Sequence, residues 1–347
     1  MTVGNYTEAG VGAATLVANA HPTPSSVPGL LRWPSVHPGK TQRLDLSGRQ
    51  LAAIPEEVFA EATLQELDLD DNLLTELPGG IAKLADLRIL RLYRNRLSSI
   101  PTALAELSKL EELSLGDNQI AAVPDCVWQL GKLRFLNLGQ NRVAEISSKI
   151  SALRELHTLD LGHNQLAAIP NALGDLTGLS RYLYLSNNRL RKVPATLGNL
   201  RQLAYLNPAH NRLTDLPESL GNLSSLRELR LYNNELTKLP ESVGELTSLR
   251  ELHVQDNGVT QVPESMGRLS NLRILNLRNN ALSDLPESFA QLSNLRHLDL
   301  RANRLPHVPE LLSGLAKLEK LDLRWNKLRQ IPSWVERLEQ RGGVVLL

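Results

Sequence analysis

One 23-residue unit repeats along most of this 347-residue chain. Its most regular part reads L-x-x-L-x-L-x-x-N-x-L, as in Leu64 to Leu74, and its positions are numbered 1 to 11 from the first leucine. A fixed period of this length predicts a stack of similar coils, each of which buries its apolar face against its neighbours. The position-9 asparagines are 23 residues apart, with one interval of 24, and are Asn72, Asn95, Asn118, Asn141, Asn164, Asn188, Asn211, Asn234, Asn257, Asn280, Asn303 and Asn326.

The unit resembles the leucine-rich repeat over roughly residues 41–338, as in LPESLGNLSSLRELRLYNNEL (216–236) and LPESVGELTSLRELHVQDNGV (239–259). It is most similar to the 23-residue intracellular type, which occurs in a scaffold that assembles a phosphatase on Ras-family GTPases. Similar repeats occur in plant intracellular Ras-group-related proteins and in bacterial proteins, some of them secreted effectors. This resemblance implies an α/β solenoid, a right-handed horseshoe of about 13 coils.

Each coil is expected to place its L-x-L segment in a parallel sheet on the concave side and a short helical or 3₁₀ turn on the convex side. The position-9 asparagine is expected to turn inward and bond backbone groups of its own and adjacent coils. The first coil is degenerate, because Arg49 replaces its asparagine. The irregular stretch GLSRYLYL (178–185), together with Pro208 in the next strand, predicts a kink or bulge between residues 179 and 211.

Three segments are expected from composition and periodicity. Residues 1–38 are rich in Ala, Gly, Ser, Thr and Pro and form a disordered leader; an export signal or an effector secretion leader are the alternatives. Residues 39–338 form the repeat domain, and residues 339–347 form the tail of a C-terminal cap. A short amphipathic helix with Trp334, Val335 and Leu338 on one side is expected to close the stack.

Composition excludes several classes of function. The net charge of +1 argues against binding to nucleic acid or to an anionic membrane, and no window is apolar enough to span a bilayer. A single cysteine, Cys126, excludes an internal disulfide and favours a reducing compartment. We therefore expect a cytoplasmic monomer, with secretion into a host cell as the alternative location.

The sequence carries no convincing catalytic, cofactor or metal motif. The segment PGKT (38–41) ends like a phosphate-binding loop, but Pro34 replaces the upstream glycine and the segment precedes a strand. The eight histidines are spread over different coils without metal-ligand spacing. Cys126 lies inside a repeat, where packing is the simpler interpretation than nucleophilic catalysis. We expect no enzyme, no cofactor and no metal.

Outward-facing strand positions suggest a protein-binding surface instead. Tyrosine, tryptophan and arginine dominate the energetics of protein interfaces, and five of the six tyrosines fall at positions that face the concavity. The alternative is that these residues have no binding role, because strands favour aromatic residues and tolerate surface charge. The expected partner-binding residues are Arg91, Tyr93, Phe135, Tyr182, Tyr184, Tyr205, His210, Tyr232, His253, Arg278, Arg301, Arg324 and Trp325.

The sequence therefore predicts a non-enzymatic module that binds a protein partner on its concave face, as a signalling scaffold or adaptor. Two alternatives stay open. One is a secreted bacterial effector that captures a host protein. The other is the recognition half of a ligase or kinase system whose catalytic unit is a separate chain.

Overall fold

The computed structural model describes residues 42–347, so the expectations for the leader (1–38) and for the PGKT segment lie outside the described part. Within residues 42–347, fourteen strands form one open parallel sheet in sequential order. The strands are β1 (Arg43–Asp45), β2 (Glu66–Asp68), β3 (Ile89–Arg91), β4 (Glu112–Ser114), β5 (Phe135–Asn137), β6 (Thr158–Asp160), β7 (Tyr182–Tyr184), β8 (Tyr205–Asn207), β9 (Glu228–Arg230), β10 (Glu251–His253), β11 (Ile274–Asn276), β12 (His297–Asp299), β13 (Lys320–Asp322) and β14 (Val344–Leu346).

The first thirteen strands each belong to one coil, and the coils are numbered 1 to 13 after them. Every one of these strands is centred on a position-4 leucine, and paired strands align these leucines, as in Leu67 with Leu90 and Leu90 with Leu113. Successive strand residues point to opposite faces, so each central leucine points inward while its two neighbours face the concavity. The leucines at positions 1, 4, 6 and 11 form one continuous apolar core along the stack.

The convex side consists of short 3₁₀ helices, as expected from the sequence. Proline precedes ten of the twelve in residues 42–347, because its fixed φ suits the entry to a helical turn and its missing N–H has no partner there. The 3₁₀ helices are Glu56–Ala60, Gly79–Lys83, Thr102–Glu106, Val127–Gln129, Ser148–Ala152, Asn171–Asp175, Ala195–Asn199, Glu218–Asn222, Glu241–Glu245, Glu264–Arg268, Glu287–Gln291 and Glu310–Gly314.

Five consecutive convex turns approach one another more closely than a side chain would allow. A Cβ atom on Gly174 would lie 2.2 Å from the carbonyl oxygen of Thr196, and one on Gly198 would lie 2.2 Å from that of Ser219. Contacts this short are absent from real structures, so glycine is required wherever the next coil brings its backbone this near. The glycine column consists of Gly174, Gly198, Gly221, Gly244 and Gly267.

The asparagines form the predicted hydrogen-bonded ladder between coils. The Nδ2 group of Asn95 donates to the carbonyl oxygens of Leu92 in its own coil (3.2 Å) and Leu69 in the previous coil (2.9 Å). Its Oδ1 atom accepts from the backbone N–H of Leu74 at 3.1 Å. These bonds satisfy backbone groups that the strand exits would otherwise leave unpaired in the core. In the degenerate first coil, Asn72 of the next coil accepts from the N–H of Arg49 at 3.1 Å.

The irregular stretch between residues 179 and 211 does not shift the strand register, so the predicted bulge does not lie within β7 or β8. The extra residue lies between Leu179 and β7, where the N–H of Arg181 bonds to the carbonyl of His157 at 3.0 Å, and β7 then pairs with β6 in unchanged register. Pro208 removes one donor, so β8 pairs with β9 through two residues instead of three. The N–H of His210 restores the pairing immediately afterwards, with a 2.9 Å bond to the carbonyl of Tyr232.

The C-terminal end is closed by a helix and a last strand. Helix α1 (Trp334–Gln340) buries Trp334, Val335 and Leu338, as expected. The helix continues past residue 338, where the repeat domain was expected to end and the C-terminal tail to begin. Gly342 has a φ of +89°, which ends the helix and turns the chain back. β14 then pairs in parallel with β13 and extends the sheet by one strand.

Candidate functional site

Strands β7 and β8 carry a compact group of three tyrosines on the concave face, called here the tyrosine cluster (Tyr182, Tyr184 and Tyr205). The rings of Tyr182 and Tyr184 are stacked, with centroids 5.8 Å apart and planes 9° from parallel. Tyr205 lies beside both, at 5.5 Å from Tyr182 and 5.1 Å from Tyr184, and is tilted against each. Tyr182 and Tyr184 flank the buried Leu183, so strand alternation places both rings on the concave side.

The cluster is largely shielded from solvent by its own rings. Tyr182 is 40% exposed, whereas Tyr184 and Tyr205 are only 6% and 9% exposed. Neither of the two shielded rings belongs to the leucine core, which lies on the other side of the sheet. Burial raises the pKa of Tyr184 and of Tyr205, so both hydroxyls stay protonated at physiological pH. The cluster therefore offers a rigid aromatic surface with Tyr182 as its most accessible ring.

Arg230 and His210 extend this surface toward the next coils. The Arg230 guanidinium lies 5.5 Å from the centre of the Tyr205 ring and donates from Nε to Glu228 at 2.6 Å. His210 meets the edge of Tyr232 at a centroid distance of 5.0 Å, and Tyr232 is 9% exposed. Burial lowers the pKa of His210, so its imidazole is neutral at neutral pH. The predicted residues Tyr182, Tyr184, Tyr205, His210 and Tyr232 are thus neighbours.

Asp160 on β6 is a buried carboxyl next to the cluster. Its Oδ1 atom accepts from the N–H of Gly162 at 2.8 Å. Gly139 in the previous coil leaves room for it, because a Cβ there would lie 2.9 Å from Asp160 Oδ1. Desolvation raises the pKa of Asp160 to about 7. In coil 6, position 5 therefore holds a carboxyl group that changes charge near neutral pH.

At the N-terminal end, Arg91 lies in a network of carboxylates. Its guanidinium bonds Glu66 at 2.6 Å and Glu112 at 2.9 Å and lies 3.6 Å from Asp68, and its side chain is 14% exposed. Nearby, desolvation and then the charge of Asp68 raise the pKa of Asp70 to about 7. The predicted partner-binding role of Arg91 therefore competes with internal ion pairs.

Tyr93 and Phe135 lie apart from the tyrosine cluster. Tyr93 is half-buried beneath the guanidinium of Arg94, which is 5.3 Å from the ring centre, and its hydroxyl lies 3.5 Å from the Nε2 atom of Gln140. Phe135 is half-buried on β5, two strands before Tyr182. These two residues do not join the group that the structure brings together.

The C-terminal arginines are paired within the chain. Arg301 donates from two nitrogens to Asp299, the shorter contact being 2.6 Å. Arg324 bonds Asp322 at 2.7 Å, and Arg278 bonds Asp256 at 2.9 Å. Bidentate pairs of this kind hold the guanidinium in one orientation. The arginine ladder predicted from sequence exists, but its charges are already balanced by acidic neighbours.

Trp325 is the most exposed large apolar side chain among the described residues, at 70%. It follows Arg324, whose guanidinium lies 5.5 Å from the indole centre. Its φ is +61°, in the left-handed region, as is usual for position 8 in this chain but unfavourable for a bulky residue. Asparagine occupies the same position at Asn187 and Asn233, where this conformation costs less.

Residues 42–347 contain few groups suited to catalysis. Cys126 is buried, its Sγ lies 3.5 Å from the carbonyl of Pro101, and burial raises its pKa, which disfavours the reactive thiolate. One group of potential metal ligands, Glu228, Glu251 and His253, has atoms within 4.8 Å of one another. None of the helices in the described part is long and apolar enough to cross a bilayer.

Sequence reasoning missed three residues that shape this face, namely Asp160, Glu228 and Arg230. Each occupies an outward strand position, so an alignment of repeat positions contains the needed signal. Arg230 falls at position 5, two coils after Tyr184, and Glu228 pairs directly with Glu251. Residue type alone did not separate them from ordinary solvent-exposed charges.

Comparison with known proteins agrees with this architecture. A family profile described as "Leucine-rich repeat region" matches residues 123–207 and 186–278. A second, "Leucine rich repeat", matches residues 40–97, 86–143 and 270–328. A search of curated proteins found no match.

Solved structures show the same fold. A leucine-rich repeat protein of Leptospira interrogans has a TM-score of 0.75 at 31% identity, with 88% of this chain and 84% of that chain covered. An internalin of Listeria monocytogenes has a TM-score of 0.77 at 25% identity, covering 88% and 86%. A plant peptide hormone receptor in complex with RGF2 has a TM-score of 0.75 at 29% identity, covering 85% of this chain and 49% of the receptor chain.

Proposed function

Because the chain belongs to the leucine-rich repeat family, whose fold is typically a protein–protein interaction module, we propose that it binds a protein partner on its concave face without catalysing a reaction. The contact is centred on the tyrosine cluster and its neighbours Arg230, His210 and Tyr232. The partner is a protein segment that covers Tyr182. This assigns the largest share of binding energy to β7–β9 and a smaller share to the charged coils.

The observation that carries this proposal is the rigid aromatic surface of the tyrosine cluster. The centroids of the three rings lie 5.1–5.8 Å apart, so the rings hold each other in place before any ligand binds. Side chains that are already ordered lose little conformational entropy on binding, and tyrosine is enriched among the residues that dominate interface energetics. Tyr182, which is 40% exposed, can still bury substantial area against a partner.

The charged residues predicted from sequence take a secondary role in the proposal. Arg91 and Arg301 bond carboxylates of their own chain, at 2.6 Å in both cases. A partner carboxylate must replace or share these pairs, so its net contribution is reduced by what is lost inside the chain. We infer that Arg91, Arg278, Arg301 and Arg324 orient the partner more than they hold it.

The wider role that we propose is that of a scaffold or adaptor in the cytoplasm, where a monomer presents its concave face. The single free cysteine supports a reducing compartment. The plant receptor, which is described as a complex with RGF2, supports a peptide segment as a ligand for this fold. Two similar structures come from bacteria, which supports the bacterial effector as the second candidate. The recognition half of a ligase or kinase system stays a further alternative.

A library of displayed random peptides, panned on the purified full chain, tests the proposal. Peptides selected on the wild type should bind Tyr182→Ala at least about tenfold more weakly, since removal of one well-placed interface ring costs more than about 1 kcal/mol. Tyr182→Phe, which keeps the ring, is the matched control and should bind almost normally. Selected peptides that bind Tyr182→Ala as tightly as the wild type would place the binding surface elsewhere.

A further inference from the structure

Two glutamates and a histidine meet on the concave face of strands β9 and β10. Glu228 and Glu251 occupy directly paired positions of the two strands, and His253 lies two residues after Glu251 on the same face. One ligand atom from each of the three lies within 4.8 Å of the others. Side-chain exposures of 22%, 38% and 19% leave the group open to the concavity. The arrangement is accessible to a small ion.

The pairing of the two glutamates places two carboxylates side by side, next to Arg230 and His253. Like charges directly opposite each other on adjacent strands destabilise a sheet. Among the described strands β3 to β13, position 3 holds adjacent carboxylates only at Glu228 and Glu251. Arg230 bonds one oxygen of Glu228 at 2.6 Å, and a carboxylate has two oxygens with about four acceptor sites. Glu228 can therefore keep its bond to Arg230 while its second oxygen binds another cation.

The separation of His253 and Glu251 suits a transition metal. His253 Nε2 and Glu251 Oε2 are 3.3 Å apart. Two ligand atoms of a tetrahedral zinc site, with bonds of about 2.0–2.1 Å, lie about 3.3–3.4 Å apart. In the absence of a metal, this spacing holds a hydrogen bond, and His253 correspondingly lowers the pKa of Glu251. A metal ion would take the place of the shared proton.

The donor set selects the kind of ion. One imidazole nitrogen with two carboxylate oxygens suits zinc and its neighbours among the first-row divalent metals, whereas magnesium and calcium prefer oxygen ligands alone. Three protein ligands leave a coordination position for water.

From these observations we propose that Glu228, Glu251 and His253 form a binding site for one divalent transition-metal ion, with zinc as its best-matched occupant. The site borders the proposed partner-binding surface, but it does not depend on that function. It introduces a metal into a chain for which the sequence predicted none.

Isothermal titration of the metal-free full chain with zinc chloride tests the proposal. The wild type should bind one zinc ion per chain. His253→Ala and Glu251→Gln should each weaken binding at least about tenfold, because even residues outside the ligand set of metal sites contribute this much. The half-exposed positions of these side chains allow both variants to fold, which circular dichroism verifies.

His297→Ala is the matched control. His297 Nε2 lies 3.6 Å from Glu319 Oε2, so it is also a histidine beside one carboxylate, but it does not belong to the three-residue group. This variant should bind zinc as the wild type does. The proposal is overturned by a wild type without a saturable site, by unchanged binding in His253→Ala, or by equal losses in His253→Ala and His297→Ala. None of these results bears on peptide binding, so the two proposals fail separately.

Discussion

The middle and the ends of the concave sheet use the same repeat positions for different chemistry. At the middle, Tyr184 and Tyr205 pack ring against ring and carry no charge. At the C-terminal end, position 5, which holds Tyr184 in the middle, holds Asp299 and Asp322, which bond Arg301 and Arg324. A repeat determines where each side chain points, but its neighbours on adjacent coils determine whether it is available to a partner. Aromatic rings retain an apolar surface after packing, whereas paired charges have already satisfied one another.

The largest expected difference between the two regions concerns one substitution at position 5. Burial raises the pKa of Asp160 from its usual value of 3.8 to about 7, so the folded state holds this proton more tightly than the unfolded state. The stability that this proton contributes is therefore fully present below about pH 4 and is lost as the pH rises through about 7. Asp160→Asn should remove this decrease and raise the free energy of unfolding at pH 8 by up to about 4 kcal/mol.

Urea denaturation at pH 5 and pH 8 measures this effect. Asparagine fits the position, because Asn137 and Asn207 accept the same type of backbone bond, at 2.9 and 3.1 Å. Asp299→Asn at the C-terminal end is the control and should destabilise by about 1 kcal/mol or less, since it breaks the ion pair with Arg301. Equal effects of both substitutions at pH 8 would contradict the contrast between buried and paired carboxyls.

A smaller difference is expected when each region loses one side chain. Tyr205→Ala should cost about 2–3 kcal/mol, because it exposes Tyr184 and removes a ring that is 91% shielded by its neighbours, its own exposure being 9%. Arg301→Ala should cost less than about 1 kcal/mol, since part of its ion pair faces solvent. Thermal and urea unfolding of both variants measure the difference. If Tyr205→Ala lowered the free energy of unfolding by less than Arg301→Ala does, the tyrosine cluster would not be a packed unit.

The smallest expected effect compares position 8 at the two regions. Asn187 in coil 7 and Trp325 in coil 13 both have positive φ, 54° and 61°, which asparagine tolerates better than tryptophan. Trp325→Asn should therefore raise the free energy of unfolding by about 0.5–1 kcal/mol, after loss of the weak contact with Arg324. Trp325→Ala should give no such gain, because alanine does not favour this conformation. The urea midpoints of the two variants decide between these outcomes.

The architecture was predictable because it depends on one pattern repeated many times. The leucine spacing predicted the parallel sheet, the position of proline predicted the 3₁₀ turns, and the asparagines predicted the ladder now seen at Asn95. The predicted bulge does not lie within the strands, because the many regular coils hold the sheet in register around a local insertion. The extra residue was absorbed before β7, where the N–H groups of Ala204 and Tyr205 bond two carbonyls, those of Ser180 and Arg181, and the register of β7 stays unchanged.

The candidate site was only partly predictable, because it depends on contacts between coils. The pattern placed Tyr182 and Tyr184 on the concave face, but not their shielding by Tyr205. It identified Arg301 and Arg324 without showing that each is paired with an acidic residue of its own coil. Predicting these contacts requires a comparison of the residues at the same repeat positions in neighbouring coils. The partner-binding role of these residues stays a prediction.

The glycine column on the convex side limits how this chain can be lengthened or shortened. The backbone of Thr196, one coil later, lies so close to Gly174 that a β-carbon on Gly174 would not fit. The backbone of Ser219 lies equally close to Gly198. When a coil is duplicated or deleted within this block, the coils that become neighbours still meet through a glycine. A unit transplanted from the first half of the chain would bring Ala82 or Ala105 to that contact. Recombination among the coils is therefore easiest inside the block that shares glycine, and an engineer who wants a longer concave sheet should insert coils there.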